Sequence, residues 1–135
     1  MESADKVSEL DNLSYFVDLD WFQKNDRSFA VAVWHCLCPD CQKRLTSEQE
    51  DVTSAMLLTN IRDCCSKVVG FISPKLSLLE KVFRLLLSKG NKQLSLKELI
   101  AQLSSYMDNP ASLSPQGLKR LLDNDQYYGF RQRLG

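Results

Sequence analysis

The five cysteines, all between positions 36 and 65, constrain this chain more than any other feature. An odd number does not close a full disulfide framework. The start, Met1-Glu2-Ser3-Ala4-Asp5, is acidic and has no apolar stretch behind a basic residue. No secretory signal is expected, and the expected compartment is the reducing cytosol, so the chain is expected to be cytoplasmic. Thiols in that setting turn to metal binding or redox chemistry. Zinc needs four donors converging at about 2.0–2.3 Å. Cys38-Pro39-Asp40-Cys41 supplies two from one Cys-x-x-Cys turn, and Cys64-Cys65 is the other source. The preferred ligand set is Cys38, Cys41, Cys64 and Cys65, with His35 or Cys36 able to replace one of the last two. Neighbouring residues on a helix point about 100° apart, so Cys64 and Cys65 share one ion only where a helix ends. Ser66 to Gly70 offers such an ending. Structural zinc is the expected occupant, because a closed four-ligand site folds a small domain. An iron–sulfur cluster is the alternative, since four thiolates also suit one. Two other readings stay open. Cys36 and Cys64 could be buried apolar cysteines. Cys38 and Cys41 could form a thiol redox pair, with Lys43 and Arg44 following, although no βαβ pattern surrounds them.

A chain of 135 residues holds one domain or two very small ones. No apolar run approaches the ~18 residues of a membrane span. Residues 1–14 read as a flexible lead-in, residues 15–70 as a cysteine-containing metal-binding region, and residues 71–135 as a second part. The aromatic stretch Tyr15 to Phe22 is expected in the core, with Asp20 capping a short helix from Trp21. Ser28 to His35 allows a strand or, with Ser28 as cap, a helix; the absence of an obvious pairing strand favours helix. Cys36 to Cys41 reads as a turn. Ser47 and Glu50 have capping-box spacing and open a helix to about Lys67, with Val52, Met56, Leu57, Ile61 and Cys64 as its buried stripe.

In the back half, Leu76 to Ser88 carries a broad apolar helical face that ends at Gly90-Asn91. Ser95-Leu96-Lys97-Glu98 is a capping box opening a second helix. Ser114-Pro115 opens a third, with Leu118, Leu121 and Leu122 inward. Gln126 to Arg131 reads as a strand. These elements, over about 60 of 135 residues, resemble the winged helix-turn-helix of the RNA polymerase delta-subunit type. About ten residues follow the third helix, enough for one strand rather than the usual two-stranded wing. The expected fold class is therefore mainly α: a cysteine-rich, metal-binding helical front part followed by a winged-helix-like back part.

The resemblance implies a module that binds DNA or docks a protein. In the DNA mode the third helix enters the major groove and presents Gln116, Lys119 and Arg120. Arg131 and Arg133 would then reach phosphates. Charge is consistent with either mode. Residues 1–70 carry 7 basic and 12 acidic side chains, and residues 71–135 carry 10 and 5, a net of −5 against +5. The halves could attract each other, or the basic half could meet a polyanion. Little points to catalysis. The single histidine sits beside the cysteines, and no glycine loop that would cradle phosphate is present. Asp18 and Asp20 could serve a metal-dependent nuclease but read equally as solvated carboxylates. No small-molecule substrate is evident. The expectation is a metal-stabilised binding module in transcription or another nucleic-acid process. The alternatives are a protein-interaction adaptor and a redox protein using Cys38 and Cys41.

Overall fold

The computed structural model describes residues 10, 12–46 and 52–133. Strand β1 (Ser14–Val17) runs into α1 (Leu19–Lys24). The cap of α1 is Asp18, not Asp20: the Asp18 carboxylate accepts the Asp20 amide at 3.1 Å. Asp18 is extended, at φ −83° and ψ 103°, as an N-cap must be, while Asp20 lies in the first turn and complements the helix dipole. Ser28 to His35 resolves as helix α2 (Phe29–Trp34), its Ser28 hydroxyl accepting the Val31 amide at 3.2 Å.

The Cys36–Cys41 stretch is only in part a turn. Pro39 opens helix α3 (Pro39–Thr46), because proline's fixed φ suits a first helical position and its missing N–H is no loss there. The expected Ser47–Glu50 capping box lies outside the described residues. Helix α4 (Ser54–Asp63) is capped by Thr53, whose hydroxyl accepts the Met56 amide at 3.2 Å, so Val52 precedes the helix. Leu57 and Ile61 are buried as expected. Cys64 is not: the helix ends at Asp63, and Cys64 at φ −126° leaves the buried stripe, so the neighbouring Cys65 is buried instead. A 3-10 turn, Cys65–Lys67, follows.

Helix α5 (Leu78–Ser88) starts at the Ser77 cap, two residues later than its apolar face suggests. It ends in a Schellman motif: Gly90 N–H bonds the Leu87 carbonyl and Asn91 N–H the Leu86 carbonyl, at 3.0 and 2.9 Å. Both residues have positive φ, +72° and +64°. Strand β2 (Leu94–Ser95) leads into α6 (Leu96–Leu103) through the Ser95–Glu98 capping box, both of whose bonds are present. Helix α7 (Pro115–Asp123) follows the Ser114 cap, with Leu118 and Leu122 buried; Leu121 is 45% exposed and does not belong to the inner face.

The closing strand β3 (Phe130–Arg133) starts later than expected. The Asp125 carboxylate accepts the amides of Tyr127 and Tyr128 at 3.2 and 2.8 Å and bends that stretch into a turn. Gly129 exits the turn at φ +69°, where an added Cβ would stand 3.0 Å from the Trp21 ring and 3.3 Å from the Asp18 carbonyl oxygen.

The sheet order is β2-β1-β3, all antiparallel. Tyr15 faces Leu94 on one side and Gln132 on the other. The strand nearest the chain start thus lies between two strands from the back half. The buried apolar side chains form one cluster drawn from β1 through α7, from Tyr15 to Leu122. The opposite charges of the halves meet in part: Arg131 Nη1 lies 2.7 Å from Asp18 Oδ2. The described residues contain no helix long and apolar enough to cross a membrane.

Candidate metal centre

Two local structures bring the thiols together. Pro39 starts α3, so Cys38 stands at its mouth and Cys41 in its first turn. At the far end of α4, the chain leaves helical geometry at Cys64 and tightens into the 3-10 turn at Cys65. That break removes the angular conflict between adjacent residues, and both sulfurs reach one point. The Sγ atoms of Cys38, Cys41, Cys64 and Cys65 all lie within 4.8 Å of one another. Cys38 Sγ is 3.8 Å from Cys64 Sγ and 3.6 Å from Cys65 Sγ. A tetrahedron of sulfurs bound at about 2.3 Å has edges of about 3.8 Å. The four cysteines therefore have the spacing to hold a metal ion. None of the five cysteines is in a disulfide.

Two donors reach the sulfurs from outside the four thiols. The Cys38 backbone amide donates to Cys65 Sγ at 3.2 Å. Arg44 Nη2 lies 3.4 Å from Cys41 Sγ and also donates to Asn60 Oδ1, while Asn60 Nδ2 is anchored on the Met56 carbonyl at 2.7 Å. The Cys41 amide, donating to the Cys38 sulfur, brings the Cys38 thiol down to about 7. Burial pushes the Cys41 and Cys65 thiols up, as does sharing of protons within the cluster. A metal replaces those shared protons. Cys41 and Cys65 are buried, and Cys64 is exposed, so the centre lies at the surface edge of the core.

His35 and Cys36 gather elsewhere, with Glu80 of α5. Burial pushes the Cys36 thiol up to about 12. Spacing alone could not reveal Glu80, 45 residues from His35. The signal that was available is an acid set among the apolar residues of α5, beside Leu79 and Val82. Arg44 reaches Cys41 from one turn on in the same helix, a spacing the sequence does carry, whereas Asn60 meets Cys41 only where α4 comes beside α3.

The expected nucleic-acid contacts fall into two groups. Gln116 and Arg120 are exposed on α7. Lys119 Nζ is 2.7 Å from Asp123 Oδ2 one turn later. Arg131 is held by Asp18, and the Arg133 guanidinium lies 5.0 Å over the Phe16 ring. Beside α7, Leu121 and the 66%-exposed Tyr127 line a groove of about 370 Å³ with Leu79 and Arg120.

No family model matches the chain, and neither a curated protein nor a solved structure matches it.

Proposed function

We propose that this protein is a binding module stapled by a structural zinc ion, with a winged-helix-like back part that docks a partner protein. The four convergent thiolates carry the reading. Four sulfur ligands leave no open position, so a zinc ion there would brace the fold rather than react. It would tie the start of α3 to the end of α4, a stretch held by short elements. A redox pair would need only two of these thiols, whereas four stand at metal spacing.

Support for the winged-helix-like part is the order α5, β2, α6, α7, β3 together with the place of β1. The residues after α7 make one strand, and β1 pairs with it where a wing would supply its second. Partner docking is favoured over DNA because two of the five candidate contacts, Lys119 and Arg131, are already engaged by aspartates. Apolar Leu121 and Tyr127 flank the same helix. The DNA reading keeps one observation in its favour, the exposure of Gln116 and Arg120 on α7.

Elemental analysis of protein purified without added metal tests the zinc. The expected result is zinc that Cys38→Ser and Cys64→Ser remove, with unfolding on chelation. A folded chain that carries no metal overturns the reading, and iron with brown colour replaces it by a cluster protein. Retention on heparin across a salt series separates the partners. Weak retention supports protein docking; a steep salt slope returns the module to nucleic acid.

A further inference from the structure

A ring nitrogen of His35, Cys36 Sγ and a Glu80 carboxylate oxygen all lie within 4.8 Å of one another. His35 is the residue that ends α2, and Cys36 follows with its amide on the Val33 carbonyl at 2.8 Å. Glu80 sits in the first turn of α5 and is 8% exposed. Its Oε1 meets His35 Nε2 at 2.8 Å. Its Oε2 is buried and has no hydrogen-bond partner among the described residues. Leaving an ionised oxygen in that state is costly unless a cation takes it up. Arg84 pairs with the other oxygen, Oε1, and makes no hydrogen bond to Oε2. Its Nε stands 3.7 Å from Oε1, beyond hydrogen-bond range, and is itself buried without a hydrogen bond. Its Nη1 donates to the Phe71 carbonyl at 2.9 Å, and the guanidinium carbon lies 5.6 Å from the Phe71 ring centre.

We propose that His35, Cys36 and Glu80 form a second metal site, separate from the four-cysteine centre, that binds a divalent cation of zinc's character and leaves one coordination position open. An imidazole nitrogen, a thiolate and a carboxylate are the borderline donor set such a cation prefers. Three protein ligands are one fewer than a closed structural site. On binding, Cys36 releases its thiol proton to solvent, and a proton on His35 Nε2 moves to Nδ1, or to solvent where Nδ1 already carries one, so that the ring binds as neutral imidazole. Cys36 and Glu80 then neutralise the cation's two charges, and Arg84 beside them leaves the centre net positive. The open position therefore favours an anionic ligand, hydroxide or a carboxylate. Access is through His35, whose side chain is 58% exposed and lines a groove of about 540 Å³ with Ala30, Val31, Trp34 and Val52. The groove's apolar walls fit a ligand with an apolar body behind that anionic group.

The test is zinc stoichiometry on the full chain. Wild type, His35→Ala, Glu80→Gln and Cys64→Ser are equilibrated with excess zinc, gel-filtered and analysed. Wild type is expected to carry two zinc ions. His35→Ala and Glu80→Gln are expected to carry one while keeping the wild-type circular dichroism. His35 is exposed, so its variant decides the matter if Glu80→Gln does not fold. Equal zinc in wild type and His35→Ala overturns the second site. If that remaining zinc vanishes in Cys64→Ser, the four-cysteine centre survives alone. If wild type carries one zinc that His35→Ala loses and Cys64→Ser keeps, the second site stands and the structural-zinc reading falls.

Discussion

Asn91 grips Val17 by both polar groups of its backbone: Asn91 Oδ1 accepts the Val17 amide and Asn91 Nδ2 donates to the Val17 carbonyl, each at 2.8 Å. The side chain acts as a strand neighbour just ahead of the start of β2, where β1 would otherwise have an empty edge. It does so from a left-handed residue at the end of α5. Asn91→Ala should orphan both groups and strain the backbone, destabilising the chain by about 2–4 kcal/mol. Asn91→Gly should recover roughly 1 kcal/mol of that by relieving φ alone. Urea unfolding measures both. If Asn91→Ala unfolds at the wild-type midpoint, the amide clamp contributes nothing.

Tyr15 predicts an alkaline limit. Its phenol is wholly buried and donates to Asp123 Oδ1 at 2.8 Å. Burial first, then the bond to Asp123, push its pKa above the ordinary 10.0. The unfolded chain therefore ionises first. The stabilisation from the neutral phenol is complete below pH 10 and is lost as pH rises above it, at up to about 1.4 kcal/mol per pH unit. Tyr15→Phe should flatten that part of the stability–pH curve. A wild-type curve that is level above pH 10 would contradict the burial argument.

Arg44 Nη2 reaches both Cys41 Sγ and Asn60 Oδ1, so one guanidinium nitrogen ties a cluster sulfur to α4. Arg44→Ala, and to a lesser degree Arg44→Lys, should weaken metal retention about 10- to 100-fold, the usual effect of removing a partner behind the ligands. Competition with a coloured chelator reads this out. Unchanged retention in both variants would mean that the guanidinium does not support the centre.

The Arg131–Asp18 pair links opposite ends of the chain, yet the arginine side chain is 61% exposed. Solvent screens such a pair, so Arg131→Ala should cost less than about 1 kcal/mol. A larger loss in urea unfolding would show that charge attraction, rather than the shared apolar core, joins the two regions.

What could be read from the residues alone is what depends on near neighbours. Ser28, Ser95 with Glu98, and Ser114 with Pro115 start helices where expected, because a cap bonds amides only two or three residues on. The four-cysteine grouping was legible for a related reason: Ser66 to Gly70 signals a helix ending nearby, and α4 does end at Asp63, in time for Cys64 and Cys65 to turn toward one point. Pairing across the chain was not legible. Tyr15 to Phe22 reads as an aromatic stretch bound for the core, and nothing in its spacing names Leu94 or Gln132 as neighbours of Tyr15. Glu80 was missed for the same reason, since only the packing of α5 carries it to His35. Leu121 shows the limit of periodicity, which places a residue near a helix's apolar edge but not on which side of it.

The central place of β1 also sets an order of assembly. Asp18 and Arg131 are 113 residues apart, and β1 waits for β3 across nearly all of that chain. The sulfur cluster needs a span of only 27 residues, from Cys38 to Cys65. Closing the shorter loop costs less chain entropy. A ribosome releases both cysteine pairs well before it reaches Phe130. The thiol cluster is therefore positioned to form during synthesis, while the sheet must wait for its last strand to emerge.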